Sequence, residues 1–217
     1  MNRLKIKCKP LDDLLGGGIE QGMIAEIYGE AGSGKTNYCL QASIACVLKG
    51  KKVAYVDTEG VSLERLEQIC PSHGKKKILS NILFFSPTTF EEQEAMVQNA
   101  TKINDVGLIV LDTFNMFYRI QLDKDEKGAN RSLNRQITKL QVEARKNGIY
   151  VLLTGQVYTV ENDDVKPFAG KIVEHMAKII LKFEKTGMGK RKASIIKHRS
   201  FPEGKAASFT ITSNGLE

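Results

Sequence analysis

Residues 29–36 read Gly29-Glu30-Ala31-Gly32-Ser33-Gly34-Lys35-Thr36, the spacing G-x-x-x-x-G-K-[ST]. Glycines let such a loop wrap so that successive backbone N–H groups point inward at phosphate oxygens. The helix that follows adds its positive N-terminal end. Lys35 has the reach for the terminal phosphates, Thr36 offers a hydroxyl to Mg²⁺, and Asn37 extends the same first turn. The stretch follows an apolar run and opens an amphipathic one, the context that separates a phosphate loop from a flexible glycine turn. The expected chemistry is binding of ATP with Mg²⁺.

A phosphate loop needs an acid to hold its metal. "LIVLDT" ends a continuous apolar run in Asp112, as a buried strand does when its last side chain emerges at the phosphate edge. A second strand-like run ends in "YVDTEG", which places Glu59 where a carboxylate can orient an attacking water. The competing reading of Glu59 is an exposed turn acid.

These groups need elements to hold them. Apolar runs at 23–28, 51–58, 81–86, 107–113 and 149–156 alternate with helical periodicity in "KTNYCLQASIACVLKG", "SLERLEQIC", "TTFEEQEAMVQNATKI" and a long stretch around 129–147. Strands separated by helices predict an α/β fold, a mostly parallel sheet flanked by helices. The tail differs: "AKIILKFEK", "KASIIKH" and "AASFTITSN" are joined by short turns and predict a C-terminal antiparallel β-meander. No linker divides the chain, so residues 1–217 are expected to form a single domain.

No apolar run approaches the ~20 residues of a membrane span, and the first residues lack an apolar signal core. The expectation is a cytoplasmic protein with no membrane partner. Cys8, Cys39, Cys46 and Cys70 form no C-x-x-C pair and read as buried structural thiols. With His73, His175 and His198 as the full histidine complement, a bound transition metal is not expected. The net charge of +7 is concentrated. Lys182, Lys185, Lys190, Arg191, Lys192, Lys197, Arg199 and Lys205 stand against Glu184 and Glu203, so this segment carries six of the seven net charges. Such a patch suits a polyanion, or is a solvated face that maintains solubility.

"LDDLLGGGIEQG", "GEAGSGKT", "DTEG" followed by "ERL", "LIVLDT", "TGQV" and "PEGKAASFTIT" occur in the order found in RecA-fold recombinases, archaeal RadA above all. The chain resembles most the RadB group of short RadA paralogues, from about residue 9 to the end. The resemblance implies a RecA-like P-loop NTPase core with Lys35, Glu59 and Gln156 as catalytic groups. In that family the residue at the Glu59 position polarises the hydrolytic water and the one at Gln156 senses the γ-phosphate; the alternative for Gln156 is a plain strand-end amide. By the same resemblance, residues 29–37 and Arg65, against the adenine, would bind the nucleotide, and Thr36 and Asp112 would hold Mg²⁺. It also implies roles in homologous recombination and DNA repair, with a RadA-type recombinase and a Holliday junction nuclease as partners.

Two features depart from the recombinase pattern. About ten residues precede "LDDLLGGG", which leaves no room for the N-terminal helical domain or the polymerisation motif, so strand exchange is not expected. The family's DNA-facing loops correspond to 118–132, where charge nearly cancels, and 157–171, which carries Glu161, Asp163 and Asp164. That shifts the expected single-stranded DNA contacts to Arg119, Lys190, Arg191, Lys192, Lys197, His198 and Arg199. They would be mostly backbone contacts, with Phe201 and Tyr118 as sparse stacking platforms. The triplet Lys197-His198-Arg199 resembles a RadB feature associated with DNA; the alternative is a contact to a neighbouring subunit's γ-phosphate. A DNA-associated protein of this kind would sit at the nucleoid. The function expected is an accessory recombination protein, at most a weak DNA-independent ATPase. The alternatives are a KaiC-like signalling ATPase, which typically shows tandem glutamates where this chain has one, a filament-forming motor, and a small-molecule kinase.

Overall fold

The computed structural model describes residues 2–159 and 165–217. Glu161, Asp163 and Asp164 of the acidic second loop lie outside the described residues. In chain order the elements are β1 (Arg3–Leu4), α1 (Lys9–Leu14), β2 (Ile19–Glu20), β3 (Ile24–Gly29), α2 (Lys35–Leu48) and β4 (Lys52–Asp57). Next come α3 (Leu63–Ile69), α4 (Lys75–Ser80), β5 (Ile82–Phe85), α5 (Phe90–Ala100), β6 (Val106–Asp112), α6 (Met116–Leu122) and α7 (Glu126–Asn147). The chain ends with β7 (Tyr150–Gly155), β8 (Val157–Thr159), β9 (Val165–Pro167), α8 (Gly170–Met176), β10 (Ile179–Lys185), β11 (Lys190–His198), β12 (Ala206–Thr212) and β13 (Gly215–Leu216).

The main sheet has nine strands in the order β13-β12-β11-β10-β3-β7-β6-β4-β5. The six from β10 to β5 are mutually parallel, and β11, β12 and β13 continue antiparallel. This is the expected architecture, with one sharpening: β10, first strand of the tail, pairs parallel with central β3, so the meander grows from the sheet's own edge. Two apolar cores explain why. On one face, Leu11, Tyr38, Cys39, Leu66 and Ile78 of α1–α4 pack on Ala25, Ile27, Tyr55 and Val110. On the other, Phe90, Val97, Tyr118, Leu133, Ile137 and Val173 of α5–α8 pack on Ala54, Val56, Ile109 and Leu111. Both faces being covered, the central strands read as unbroken apolar runs. All four cysteines are free and buried in the α1–α4 core. No helix of the described residues is long and apolar enough to cross a membrane.

The segment 118–132, expected as a loop, is two helices joined by Asp123–Asp125. The Asp125 side chain accepts from Gly128 N at 2.9 Å and caps α7, which therefore begins three residues before the expected 129. Tyr118 is buried edge-on to Phe90 and donates to Asn130 Oδ1 at 2.8 Å, so its ring is not an open platform. Phe201 is half-buried, with Lys205 over its ring and His198 beside it.

Candidate nucleotide site and the basic hairpin beside it

The parallel strands deliver their chemistry at their carboxyl ends, where open α/β sheets bind ligands. The loop after β3 turns through Gly32 (φ 73°) and Gly34 (φ 105°), backbone regions that side chains resist. Gly29 has a second reason: a Cβ there would stand 2.1 Å from the Phe183 carbonyl of β10. Ser33 Oγ is buried without a hydrogen-bond partner. Lys35 is buried, and its Nζ donates to the Gly29 and Glu30 carbonyls at 2.7 and 3.0 Å. Burial pulls its pKa down, and Glu59, Asp112 and Glu30 oppose that pull. An orphaned hydroxyl and an ammonium resting on loop carbonyls are groups that a phosphate would satisfy, so the donor set fits a polyphosphate.

Asp112 ends β6 and is 1% exposed. It accepts from Tyr55 Oη at 2.7 Å and from the Thr154 hydroxyl. Burial raises its pKa; hydrogen bonds from Thr154, Tyr55 and Thr36 work the other way. Thr36 and Asp112 thus meet, the pairing that a hard cation with oxygen ligands needs. Tyr55 and Thr154 were not among the expected residues. Their signal was present: each lies two residues before a strand-end polar group (Asp57, Gln156), but register with β6 was needed to recognise them.

The turn after β4 is held by Asp57, whose carboxylate accepts from the backbone N–H of Glu59, Gly60 and Val61 at 3.2, 2.9 and 2.6 Å. That presents Glu59 outward. Its Oε1 accepts from Thr113 Oγ1 at 3.1 Å and from Gln156 Nε2 at 2.5 Å. Gln156 Oε1 in turn accepts from Arg119 at 3.0 Å, and the Arg119 guanidinium lies 4.3 Å from the centre of the Phe168 ring. Asn115 clamps the Gln156 backbone through N–H and carbonyl, both at 2.9 Å. A relay therefore runs from Glu59 through one amide to an exposed cation.

Arg65 stands at the other side of the loop. Its guanidinium donates to Asn37 Oδ1 at 2.7 Å, to the Thr212 and Ser213 carbonyls at 2.7 and 3.1 Å, and to Gln68. It ties the β12–β13 turn to the first turn of α2.

The basic residues separate into three groups. Arg191 donates to the Gly32 carbonyl at 2.9 Å and so belongs to the phosphate loop. Lys185 Nζ lies 3.8 Å from Glu30 Oε2. Lys190 and Lys192 are exposed on the same hairpin. The 197–199 triplet is engaged internally. Lys197 donates to the Glu174 carbonyl, and Arg199 pairs at 2.6 Å with Glu20, which is 1% exposed and also meets Arg3 at 2.8 Å. His198 accepts from Ser200 N at 3.0 Å, and burial lowers its pKa, favouring the neutral ring.

A family model described as Rad51 matches residues 1–217. The chain is 47% identical to the DNA repair and recombination protein RadB of Methanococcoides burtonii, covering 99% of this chain and 97% of that protein. It is 40% identical to the protein of the same name in Thermoplasma acidophilum, over 95% and 90% of the two chains. A crystal structure of the RadB recombinase superposes with a TM-score of 0.86 at 37% identity, covering 99% of this chain and 98% of the other. With Lys35, Asp112 and the strand-end amide of Gln156 on one edge of a RecA-like sheet, the chain belongs to the Rad51 family and, within it, to the RadB group.

Proposed function

We propose that the chain is an ATP- and DNA-binding accessory protein of homologous recombination and repair, in which Mg²⁺-ATP serves as a slowly cleared switch. Recombination and repair are the work named for its relatives. The observation that carries the switch reading is the Gln156 amide, which donates to Glu59 and accepts from Arg119. A neutral amide exchanges partners when a phosphate arrives or leaves, and here its other partner is an exposed cation suited to DNA phosphate. Glu59, held by Gln156 and Thr113, must be released before it can polarise a water, which supports slow hydrolysis at best. Lys35, Thr36 and Asp112 are the groups to hold ATP and Mg²⁺, with Arg65 on the adenine side. Lys190 and Lys192 are the cations best placed for single-stranded DNA, with Arg119 as the coupled one. A RadA-type recombinase is the protein partner that this reading assigns, a Holliday junction nuclease the second.

The test is single-stranded DNA binding against salt, with and without Mg²⁺-ATP. Wild type is compared with Gln156→Ala, Lys190→Ala/Lys192→Ala and Lys197→Ala/Arg199→Ala. Nucleotide should change DNA affinity severalfold in wild type and not in Gln156→Ala. The Lys190/Lys192 pair should flatten the log–log salt slope by about 0.7 per lost contact. Fast DNA-stimulated hydrolysis at low protein concentration, or no DNA binding at any salt, would overturn the reading.

A further inference from the structure

On the sheet face away from α2, β3 carries a carboxyl whose Oε1 no hydrogen bond satisfies. Ala25 and Ile27 pack with the α1–α4 core, while Ile24 and Tyr28 pack with α5–α8, so strand alternation turns Glu26 toward the α5–α8 side. Glu26 is 1% exposed and its Oε1 has no hydrogen-bond partner. Burying an acceptor in this way costs free energy unless something supplies a donor.

A cavity of about 600 Å³ opens against this carboxyl. Its size falls within the usual range for small-molecule and side-chain pockets. The walls are apolar and aromatic: Ile180 and Ile196 from the sheet, Tyr28 and Tyr118 buried, and Tyr158 at the mouth. Among the described residues the rim is charge-balanced, with Glu126 and Glu174 exposed alongside exposed Lys166 and Lys171. The uncancelled feature is therefore the acid on the floor, and the field of Glu174 adds to it.

We propose that this cavity binds an alkyl-borne cation, an ammonium or guanidinium on an aliphatic stem, which donates to Glu26 and lies against the tyrosine rings. Each part of the wall has a use for that chemistry. The stem takes the isoleucines, the cation takes the ring faces, and its N–H groups satisfy the orphaned oxygen. An anion brings no donor for the orphaned oxygen. A hard divalent ion needs six or more oxygens, whereas among the described residues Glu26 is the sole buried carboxylate lining the cavity. The group comes either from a free polyamine or from an arginine side chain of a partner peptide. Burial, with Glu174 second, pushes Glu26 up to about 8, so binding near neutral pH should release a proton.

The experiment is calorimetric titration of the full chain with spermidine and, separately, with the peptide Ala-Ala-Arg-Ala-Ala. Ionic strength is matched, and two buffers of different ionisation enthalpy are used at pH 7. One probe should bind saturably at one site with net proton release, and Glu26→Gln should weaken it by about tenfold or more. ATP binding should be unchanged in that variant, which checks its fold. Binding of spermidine assigns a free polyamine; binding of the peptide alone assigns a partner's side chain. No saturable binding of either probe, or equal affinity in Glu26→Gln, overturns the proposal. Should that variant fail to fold, carboxyl ¹³C shifts of wild type replace it. The Glu26 signal must move from protonated to ionised as the probe is added, and a stationary signal overturns the proposal.

Discussion

The Arg191 guanidinium donates to the Gly32 carbonyl at 2.9 Å, joining the start of β11 directly to the loop after β3. A charge-assisted hydrogen bond of this kind contributes on the order of 2 kcal/mol. Arg191→Ala should therefore weaken ATP binding by roughly tenfold through a loosened loop. Lys192→Ala, exposed on the same strand, should leave ATP affinity alone and weaken single-stranded DNA binding at low salt. Calorimetry with nucleotide and a salt series with DNA separate the two. Equal effects of both variants on ATP would sink the distinction.

Asp112 is buried under hydroxyls from Tyr55 and Thr154 and meets Thr36. Asp112→Asn keeps the shape: the amide oxygen still accepts from one hydroxyl, and the other hydroxyl can rotate to accept from the amide nitrogen. The variant should fold and bind ATP, with the affinity gained from Mg²⁺ falling close to zero. ATP titrations with and without Mg²⁺ check this.

On the proposed function, Glu59 and Gln156 divide the work at the same edge. Glu59→Gln should leave ATP affinity within about twofold and slow phosphate release by ~10²–10⁴ under single-turnover conditions, the usual worth of a general base. Arg119→Ala should leave that release unchanged and remove the effect of ATP on DNA affinity. A Glu59→Gln variant as fast as wild type would reduce Glu59 to a turn acid.

How far the sequence led depends on whether a group's partners lie near it in the chain. The placing of residues 29–36, Asp112 and Glu59 together was legible because each lies at or just past the end of an apolar strand, and parallel strands all deliver their ends to one edge. Tyr55, Thr154 and Thr113 were not, since they act across neighbouring strands and only register brings them together. The reading of 118–132 as a loop failed because Asp125 caps α7, a local signal outweighed by the segment's polarity. The Lys197-His198-Arg199 triplet looked like a free patch because Glu20, its buried partner, stands near the other end of the chain. Glu26, inside "MIAEIY", gave no sign of its setting: a sheet covered on both faces buries both sides of a strand.

The Glu20 pairing makes Arg199 a stability residue. Glu20 is 1% exposed between Arg3 and Arg199, and a buried charge that loses a partner is expensive. Because Arg3 remains, Arg199→Ala should cost on the order of 2 kcal/mol, roughly 4–8 °C in Tm for a chain of this size. Lys190→Ala should change Tm by about 1 °C or less. Thermal melts must therefore accompany any DNA measurement on the triplet, and an unchanged Tm for Arg199→Ala would contradict the role assigned to Glu20.

Glu26 gives stability a pH dependence of definite sign. Burial first, and Glu174 second, raise its folded pKa from 4.5 to about 8. Below pH 4.5 the carboxyl is protonated in both folded and unfolded chains and contributes nothing. Between 4.5 and about 8 the folded chain keeps a proton that the unfolded chain has lost, so stability falls as pH rises. The slope is at most about 1.4 kcal/mol per pH unit, and the loss levels off above the folded value. Glu26→Gln removes this slope without removing the shape of the side chain. Denaturant melts from pH 5 to 9 should show the variant gaining on wild type as pH rises, with the difference flat above about pH 8. Glu174→Gln should lower the pH at which that plateau begins, since it removes the second cause of the shift. A constant difference between Glu26→Gln and wild type across the range would mean that Glu26 ionises freely, and that the cavity beside it is wetter than its walls imply.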